Sequence, residues 1–438
     1  MDIHILQTVT KHNGRSNKDT NGGFGTVNDF GKGLVPTFLK TFKNQTMNYP
    51  ELLPAYVRAI LTAQGHHVTY AVNDVPSSSE IVLIQSSIID IQEEIHWAKK
   101  LKSENPAIRV GFMGGMSSAN AHLYKEQADF CIVGEVENAL LQNEITNLKG
   151  VVEAGLVKKL DEIPFPDWTH LPVQNRKYRV FRKTSGLTIP VLTSRGCPMP
   201  CRYYCTYPLV QGSTFRVRSN ENVLDEIQSL IDQFNNVNIL FRDPIFSLDM
   251  KRIEFLCESI LHRQLTFTWI CETHPKFLDE SLIKLMARAG CVAIKLGIES
   301  GDLNVMKKSH RKGDQLEHQE AVIRACEASQ IHVLAFYILG YFDDTKETVE
   351  QTIQYAQYLN TYGAQFTIAT PYPGTEWYAS LQADHDRYQL DPSLENYNQY
   401  QLVYHHPNLS KKDLENYKSQ AYHRYYMRWS YIQKNFSP

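Results

Sequence analysis

The chain has 438 residues, of which 21% are charged, and its formal net charge is −2. A length of this order accommodates two or three domains with sizeable cores. The nearly balanced charge gives no electrostatic attraction to nucleic acid or to an anionic membrane surface, so we expect neither as a partner.

The sequence also lacks the signals of membrane insertion and secretion. No apolar run of about eighteen residues occurs, which disfavours a membrane-spanning helix. The start, MDIHILQTVT, has no basic region followed by an apolar one, as a signal peptide would. We therefore expect a cytoplasmic protein.

Short apolar runs alternate with amphipathic stretches across residues 1–150. The predicted strands are IHILQTV, HVTYAV, EIVLIQSS, IRVGFMGG and FCIVGE, and the predicted helices are PELLPAYVRAILTAQG and DIQEEIHWAKKLKSEN. This alternation predicts a Rossmann-like, doubly wound parallel sheet. The segment from Asn13 to Lys32 is rich in glycine and asparagine, which predicts an irregular loop.

Residues 151–186 interrupt this pattern, and the prolines of LDEIPFPDW together with Pro172 predict an extended linker. A second alternation covers residues 187–380, with the strands LTIPVLTS, VNILFRD, LTFTWICET, VAIKLGIES, IHVLAFYILG and AQFTIAT. Six strands with helices between them predict a partial (β/α)6 barrel, whose functional groups follow the carboxyl ends of the strands. Residues 381–438, rich in tyrosine and histidine, are predicted to form a helical tail packed on the barrel.

Three of the eight cysteines, Cys197, Cys201 and Cys205, lie close together in TSRGCPMPCRYYCTYPL, directly after a predicted strand. Glycine and proline disfavour a helix there, so the cysteines are predicted to lie on a loop. Three thiolates can hold three irons of one 4Fe–4S cluster and leave the fourth iron open to a small bidentate ligand. A structural zinc site is the alternative, but it normally has four ligands, and no CxxC pair or nearby histidine completes one.

The cysteine loop resembles that of the radical S-adenosylmethionine (SAM) superfamily, whose usual pattern is CxxxCxxC. Here three residues, Arg202, Tyr203 and Tyr204, separate the last two cysteines, so the loop is a variant. Further segments resemble, in order and spacing, the barrel of radical SAM enzymes that carry an N-terminal cobalamin-binding domain. These segments lie within roughly residues 50–380 and read LDEIPFPDW, FRDPIF, WICET, MARAGCVAIKLGIESG, YILGYFDDTKET and TPYPGT.

The resemblance implies that the three cysteines are the catalytic metal ligands. It also implies that Tyr204 lies beside the adenine of SAM, Asp243 near the methionine amine, and Glu299 and Ser300 near the ribose or the methionine part. Glu272 ends the third barrel strand and is expected to point into the barrel mouth and bind SAM. Carboxylates at such places can accept hydrogen bonds from an ammonium group or from hydroxyls, and the alternative for each is a structural role at the following helix.

The N-terminal segments IVLIQSS, RVGFMGG and ADFCIVGEVENAL resemble the cobalamin-binding domain of the same enzymes. The predicted cobalamin contacts end three successive strands, where ligands of doubly wound sheets bind: Ser86, Ser87, Gly114, Gly115, Gly134 and Glu135. The motif DxHxxG, whose histidine binds cobalt in many such domains, does not occur in the sequence. Cobalamin therefore binds without a protein histidine, or the domain binds no cobalamin and serves structure or substrate recognition.

The resemblance as a whole implies a cobalamin-dependent radical methyltransferase that acts on an unactivated carbon of a small-molecule biosynthetic intermediate. It also implies an electron donor such as flavodoxin or ferredoxin. One alternative keeps the radical chemistry but replaces methyl transfer by a rearrangement, an oxidation or another group transfer, with a degenerate cobalamin domain. An alternative of another class is a non-enzymatic metal-binding scaffold. The sequence names neither the substrate nor the oligomeric state.

Overall fold

The computed structural model describes residues 1–10, 17–46, 49–169, 171, 187–234, 236–311 and 315–436. The N-terminal part contains a sheet of six parallel strands in the order β2-β1-β3-β4-β5-β6. The strands are β1 (Asp2–Gln7), β2 (His67–Val72), β3 (Ile81–Gln85), β4 (Arg109–Met113), β5 (Phe130–Gly134) and β6 (Gly150–Gly155). The predicted Rossmann-like sheet is confirmed.

Helices cover this sheet and explain its apolar strands. They are α2 (Leu52–Ala63), α3 (Ile91–Glu104), α4 (Gly115–Ala119) and α5 (Val136–Gln142). Helix α1 (Leu34–Thr46) lies instead against the C-terminal part of the chain. Every residue of β3 is buried, because a parallel strand inside such a sheet is covered on both faces. A continuous apolar sequence such as IVLIQ is the expected result.

The second sheet also has six parallel strands, in the order β14-β13-β12-β11-β10-β7. Its strands are β7 (Leu187–Val191), β10 (Val237–Phe241), β11 (Thr268–Thr273), β12 (Cys291–Glu299), β13 (His332–Leu339) and β14 (Gly363–Ile368). The edge strands β7 and β14 do not pair with each other, so the sheet forms a half-barrel, as predicted. A separate antiparallel pair, β8 (Ser194–Arg195) and β9 (Arg216–Val217), lies beside the cysteine loop.

Helices alternate with the barrel strands: α6 (Tyr207–Gln211), α7 (Asn220–Gln233), α8 (Met250–His262), α9 (Glu280–Arg288), α10 (Leu303–Lys308), α11 (Leu316–Ala328) and α12 (Lys346–Leu359). Several begin at a side chain that caps the free amides of the first turn, namely Ser219, Asp249, Asp279, Asp302 and Thr345. None of the helices in the described part of the chain is long and apolar enough to cross a membrane.

The C-terminal residues close the open side of the half-barrel. They form α13 (Glu376–Ala383), α14 (His385–Tyr388), α15 (Lys411–Tyr426) and α16 (Trp429–Phe436). The Tyr422 hydroxyl bonds both the amide and the carbonyl of Phe366 on β14, at 3.0 Å each, and Tyr426 does the same with Ala364. Tyrosine hydroxyls thus satisfy the backbone of an edge strand that would otherwise be unpaired.

Three details differ from the sequence prediction. The N-terminal sheet extends beyond residue 150, because β6 pairs with β5 through residues assigned to the linker. Helix α1 lies where no element was predicted. The tail is helical only in part, since residues 389–410 contain just one short 3-10 turn. Most of the predicted linker, residues 172–186, and the start of the predicted loop, residues 13–16, lie outside the described residues.

A buried lysine fixes the segment of residues 17–30, which we call the bridging loop, against the N-terminal sheet. Lys18 is fully buried, and its ammonium group lies 2.6 Å from Glu94, 2.9 Å from the Thr8 hydroxyl and 3.0 Å from the Gln85 carbonyl. The charge is therefore compensated by a carboxylate and fully hydrogen-bonded, as a buried ammonium group requires. The predicted irregular loop is an ordered part of the core.

We predict that Lys18→Met lowers the free energy of unfolding by about 3–5 kcal/mol, because it leaves the Glu94 carboxylate buried without its partner. Urea unfolding followed by circular dichroism measures this change. The control is Lys159→Met, which removes one member of the exposed Lys159–Glu162 pair and should cost less than about 1 kcal/mol. Equal losses in the two variants would contradict the anchoring role of Lys18.

Candidate functional site

Both parallel sheets turn their carboxyl edges toward one interior space. An interdomain cavity of about 730 Å3, including its open mouth, lies between Gly114 and Gly134 of the N-terminal sheet and Leu192 and Arg195 of the barrel. A second, the barrel cavity of about 1600 Å3 including its open mouth, lies within the half-barrel. Tyr207 and Arg242 line both, so the two cavities adjoin.

The three cysteines lie on the irregular segment after β7, as predicted. Cys197 is buried against Met199 and Ile245, whereas Cys201 and Cys205 are partly buried. A 3-10 turn over Pro200–Tyr203 accommodates the extra residue, and the amide of Cys205 donates to the carbonyl of Cys201 at 3.0 Å. The longer spacing therefore keeps the last two cysteines in one tight turn.

The three thiols differ in their ease of ionisation. A hydrogen bond from the Cys205 thiol lowers the pKa of Cys201, against the opposing effect of burial, and Arg311 lowers it further. The same hydrogen bond, followed by burial, holds the pKa of Cys205 well above its ordinary value. Burial raises the pKa of Cys197 to about 11. Among the described residues, no three His, Cys, Asp or Glu side chains are arranged to hold a single metal ion.

The two tyrosines between Cys201 and Cys205 point in different directions. Tyr204 lines the barrel cavity, and its hydroxyl lies 3.2 Å from the Tyr341 hydroxyl. Tyr203 instead packs on the ring of His310, at 4.6 Å between centroids, and more distantly on Trp377. Tyr204 is thus placed where the predicted contact with adenine requires it, and the contact itself stays a prediction.

Glu299 ends β12 at the top of the barrel cavity. Its carboxylate accepts hydrogen bonds from Arg311 at 2.8 Å and from the Tyr341 hydroxyl at 3.3 Å. Glu299 has a φ of +71°, and the strand register shifts between Gly297 and Glu299. A Cβ on Gly297 would lie 2.7 Å from the Glu299 carboxylate, so a side chain there would displace this carboxylate. Glu299 faces the cavity, as predicted.

The Ser300 side chain does not line the barrel cavity, and its predicted contact with SAM stays a prediction. It is fully buried, lies 3.0 Å from the Thr352 hydroxyl and accepts the amide of Asp302 at 3.1 Å. Successive residues of a strand point to opposite faces, so a neighbour of Glu299 is turned toward the helical layer.

Asp243 is likewise turned away from both cavities, in contrast to the prediction. It is fully buried and accepts hydrogen bonds from the Thr193 amide at 3.1 Å, the Thr193 hydroxyl at 2.7 Å and the Ser194 hydroxyl. Burial raises its pKa, and these donors oppose that effect. Asp243 therefore positions the start of the cysteine segment, whereas the following helix, where its alternative role was expected, is capped by Asp249.

Glu272 lines the barrel cavity, as expected, but within an ion-pair cluster. Its Oε1 atom receives hydrogen bonds from Arg242 and, at 2.8 Å, from Lys295. Burial would raise the pKa of Glu272, but these two cations together hold it below the ordinary value. The ionised form of Glu272 is thus favoured by two neighbouring cations.

The residues predicted to contact cobalamin fall into two groups. Gly114, Gly115 and Gly134 line the interdomain cavity with bare backbone. Ser86 and Ser87 are fully buried and do not reach it: Ser86 donates to the Met113 carbonyl at 2.9 Å, and Ser87 donates to Glu94 at 2.7 Å. The side chains of the two serines thus complete the N-terminal core, and their predicted contacts with cobalamin stay predictions.

Glu135 lines the interdomain cavity but serves mainly as a clamp between the two domains. Arg216 donates to its two oxygens at 2.8 and 2.9 Å, Arg195 lies 3.4 Å away, and the Val157 amide donates at 2.7 Å. Burial alone would raise the pKa of Glu135, but the two arginines hold it below its ordinary value. Arg195 also pairs with Glu137 at 2.7 Å.

Several cavity residues were not predicted from the sequence. The sequence contained a pattern that could have identified Lys295, because the two-residue alternation of a strand places it on the same face as Glu299. Tyr341 stood in a quoted motif without an assigned role. Nothing in the sequence pointed to Lys43 as a cavity residue, since it belongs to the unpredicted helix α1. The bridging loop contributes Asn17, Thr20, Asn21, Thr26 and Asn28 to the barrel cavity.

Comparisons with known proteins agree with this geometry. Residues 191–356 match the family model described as the Radical SAM superfamily. An uncharacterized methyltransferase of Pyrococcus horikoshii is 34% identical over 220 residues, which are 50% of this chain and 46% of that protein. The bacteriochlorophyllide d C-12(1)-methyltransferase of Chlorobaculum tepidum is 25% identical over 314 residues, 70% of this chain and 66% of that protein. The chain thus spans about half to two thirds of these relatives.

Solved structures extend the likeness to both domains. The radical SAM methyltransferase TsrM from Kitasatospora setae, with cobalamin and a 4Fe–4S cluster bound, superimposes with a TM-score of 0.66 at 14% identity, over 96% of this chain and 90% of that one. The cobalamin-dependent SAM radical enzyme OxsB, with aqua-cobalamin and SAM bound, gives a TM-score of 0.68 at 13% identity, over 95% and 66%.

A half-barrel with a three-cysteine loop at its mouth, joined there to a Rossmann-like domain, is the fold of the cobalamin-dependent radical SAM enzymes. Residues 191–356 of this chain thus match a radical SAM domain, and the relatives and solved structures agree with that match.

We predict that Tyr204→Ala weakens the binding of SAM about tenfold, because one aromatic contact in a cavity contributes about 1–1.5 kcal/mol. The measurement is equilibrium binding of SAM to the anaerobically reconstituted protein, with the iron content checked in each variant. Tyr203→Ala is the matched control and should leave SAM affinity within about twofold, because Tyr203 packs outside the cavity. The reverse order of effects would exchange the roles of the two tyrosines.

Proposed function

We propose that this protein is a cobalamin-dependent radical SAM methyltransferase that acts on an unactivated carbon of a small molecule. The observation that carries the proposal is the junction of the two cavities at Tyr207 and Arg242. A substrate in the barrel cavity would lie between a three-cysteine loop and a glycine-lined cavity on the Rossmann-like domain. Two reactive groups on either side of one substrate are what such a methyl transfer needs.

The donor set of the cysteine loop fits a 4Fe–4S cluster. Three thiols lie on one loop, Cys201 and Cys205 are in direct hydrogen-bond contact, and Arg311 favours the thiolate of Cys201. Three protein ligands leave one iron open, which suits SAM as the fourth ligand. Around this loop, Tyr204 and Tyr341 would enclose the adenosyl part, and Glu299, held by Arg311, would accept hydrogen bonds from hydroxyl or ammonium groups.

The interdomain cavity fits a flat macrocycle. Glycines at positions 22, 23, 114, 115 and 134 leave bare backbone along it, and Tyr56 and Arg195 stand among the other wall residues. No histidine lines the described part of this cavity, which favours binding of cobalamin without a protein ligand to cobalt. Once bound, the cluster with SAM would generate the radical, and cobalamin would carry the methyl group. The chain itself would orient the substrate and enclose the cofactors.

A second candidate function keeps the radical chemistry without methyl transfer. It is favoured by the bridging loop, because a Cβ on Gly115 would lie 2.7 Å from the Gly23 carbonyl carbon and 2.8 Å from the Gly22 oxygen. The loop thus covers part of the edge at which cobalamin would bind. In that case the N-terminal domain shapes the substrate cavity, and the reaction is a rearrangement, an oxidation or another group transfer.

Partners and location are part of the proposal. A cluster that must be reduced for each turnover requires an electron donor such as flavodoxin or ferredoxin, and low-potential donors of this kind are cytoplasmic. We propose a small-molecule substrate and neither nucleic acid nor membrane as a partner, in line with the net charge of −2.

The cluster is tested by replacing the three cysteines together. The variant Cys197→Ala/Cys201→Ala/Cys205→Ala should lose the roughly four irons per chain expected for a 4Fe–4S cluster. It should also lose formation of deoxyadenosine from SAM under strong reductant. Cys326→Ala, in the buried core of α11, is the control that should keep both. Iron near four per chain in the triple variant would overturn the ligand assignment.

Cobalamin binding is tested by filling the interdomain cavity. Leu53→Trp places a large ring in the cavity wall and should lower the cobalamin content from about one per chain to below one tenth, with iron unchanged. Leu141→Trp, at an exposed position of α5, is the control for a tryptophan elsewhere on the domain. A wild-type protein that retains no cobalamin and forms deoxyadenosine but no S-adenosylhomocysteine would favour the second function.

A further inference from the structure

The barrel cavity has an excess of positive charge at its deeper end. Its lining includes the cations Lys43, Arg242 and Lys295 and the anions Glu272 and Glu299. Glu299 is paired with Arg311, and the buried Asp19 carboxylate lies near Arg242. Both Arg242 and Lys295 bond the same oxygen of Glu272.

This charged region is separate from the cysteine end of the cavity. Lys295 precedes Glu299 by four residues on β12, which is about 13 Å along a strand. Glu272 lies in register with Lys295 on the neighbouring strand β11. The cations therefore lie one layer below the residues that surround the cysteine loop.

Lys43 reaches this layer from outside the barrel sheet. It belongs to α1, its ammonium group donates to the side-chain oxygen of Gln365 on β14 at 3.0 Å, and it lies 5.3 Å from the centre of the Phe30 ring. These are contacts to an amide oxygen and a ring face, and the described residues place no carboxylate within ion-pair distance of Lys43. A cation in such a place is poorly compensated.

We propose that the barrel cavity binds a substrate through an anionic oxygen group, a carboxylate or a phosphate, held between Lys43 and Lys295. The rest of the substrate would lie toward the cysteine loop, along the apolar wall of Leu334, Phe336 and Ile338 on β13. This inference rests on the proposed function, because it names the class of substrate for the same site.

The ionisation of Lys43 supports the proposal. Burial, together with the charge of Lys295, lowers the pKa of Lys43 to about 7. An anion beside it would favour the protonated form, so binding of the anion should take up a proton. Since the free lysine is charged below pH 7 and neutral above it, affinity for the anion should fall as the pH rises through 7. The fall should be about tenfold between pH 6 and pH 8.

The experiment uses the reconstituted holoenzyme with saturating SAM and cobalamin, so that the anionic groups of the cofactors are already bound. Benzoate, phenyl phosphate and the neutral benzamide are titrated by calorimetry at pH 6. At least one of the two anions should bind ten times more tightly than benzamide or better, and the stronger of the two identifies the group as carboxylate or phosphate. Benzamide binding as tightly as both anions would overturn the proposal.

Three variants locate the effect. Lys43→Gln should remove the preference for the anion and its pH dependence, whereas Lys43→Arg should keep the preference and lose the pH dependence, because arginine stays charged. Lys40→Gln, at an exposed position on the same helix, should behave as wild type. Thermal unfolding confirms that each variant is folded. Loss of the preference in Lys40→Gln equal to that in Lys43→Gln would refute the assignment to Lys43.

The test of anion binding can succeed or fail independently of the test of the proposed reaction. Selective anion binding that depends on Lys43, without any deoxyadenosine from SAM, would refute the proposed function and leave this inference standing. Deoxyadenosine formation in an enzyme that does not distinguish the anions from benzamide would do the reverse.

Discussion

The architecture depends on the buried ion-pair cluster that joins the two carboxyl edges. Glu135, at the end of β5, binds Arg216 through two hydrogen bonds and lies near Arg195 on β8, which also pairs with Glu137. A charge buried in this way requires its partners, so the two sheets cannot separate without exposing it or leaving it unpaired. The cluster therefore brings the edge of the N-terminal sheet to the mouth of the half-barrel. The interdomain cavity lies along that contact.

Two further segments complete the enclosure. The bridging loop, anchored by Lys18, contributes one wall of the barrel cavity, and its Thr26 hydroxyl lies 3.2 Å from the Asn398 carbonyl of the C-terminal region. The tyrosines of α15 cover the edge strand β14, and His406 lies 2.8 Å from the Tyr341 carbonyl. The tyrosine- and histidine-rich tail thus seals the half-barrel and holds a cavity residue in place. A half-barrel needs such a cover, because its edge strand is otherwise open to solvent.

Much of the fold followed from periodicity. All eleven predicted strands occur, since runs such as IVLIQ and VAIKLGIES are apolar enough to be buried on both faces. The site was harder to predict. Ser86, Ser87, Asp243 and Ser300 each end a strand, as a site residue should, yet each turns into the protein and satisfies a buried polar group. The sequence predicts where a strand ends. The direction in which a side chain points at that end depends on bulges and on the neighbouring elements, which the sequence does not show.

The sequence by itself determined the two parallel sheets, the order of their elements and the loop that carries Cys197, Cys201 and Cys205. These are local properties, set by hydrophobic period, by proline and glycine, and by the spacing of like ligands. Only the tertiary structure decided that Tyr204 rather than Tyr203 faces the cavity, that Glu135 clamps the two domains, and that Lys43 enters the barrel from α1. Those outcomes depend on contacts between residues far apart in the chain, whose charges and packing surfaces meet only after the sheets have docked.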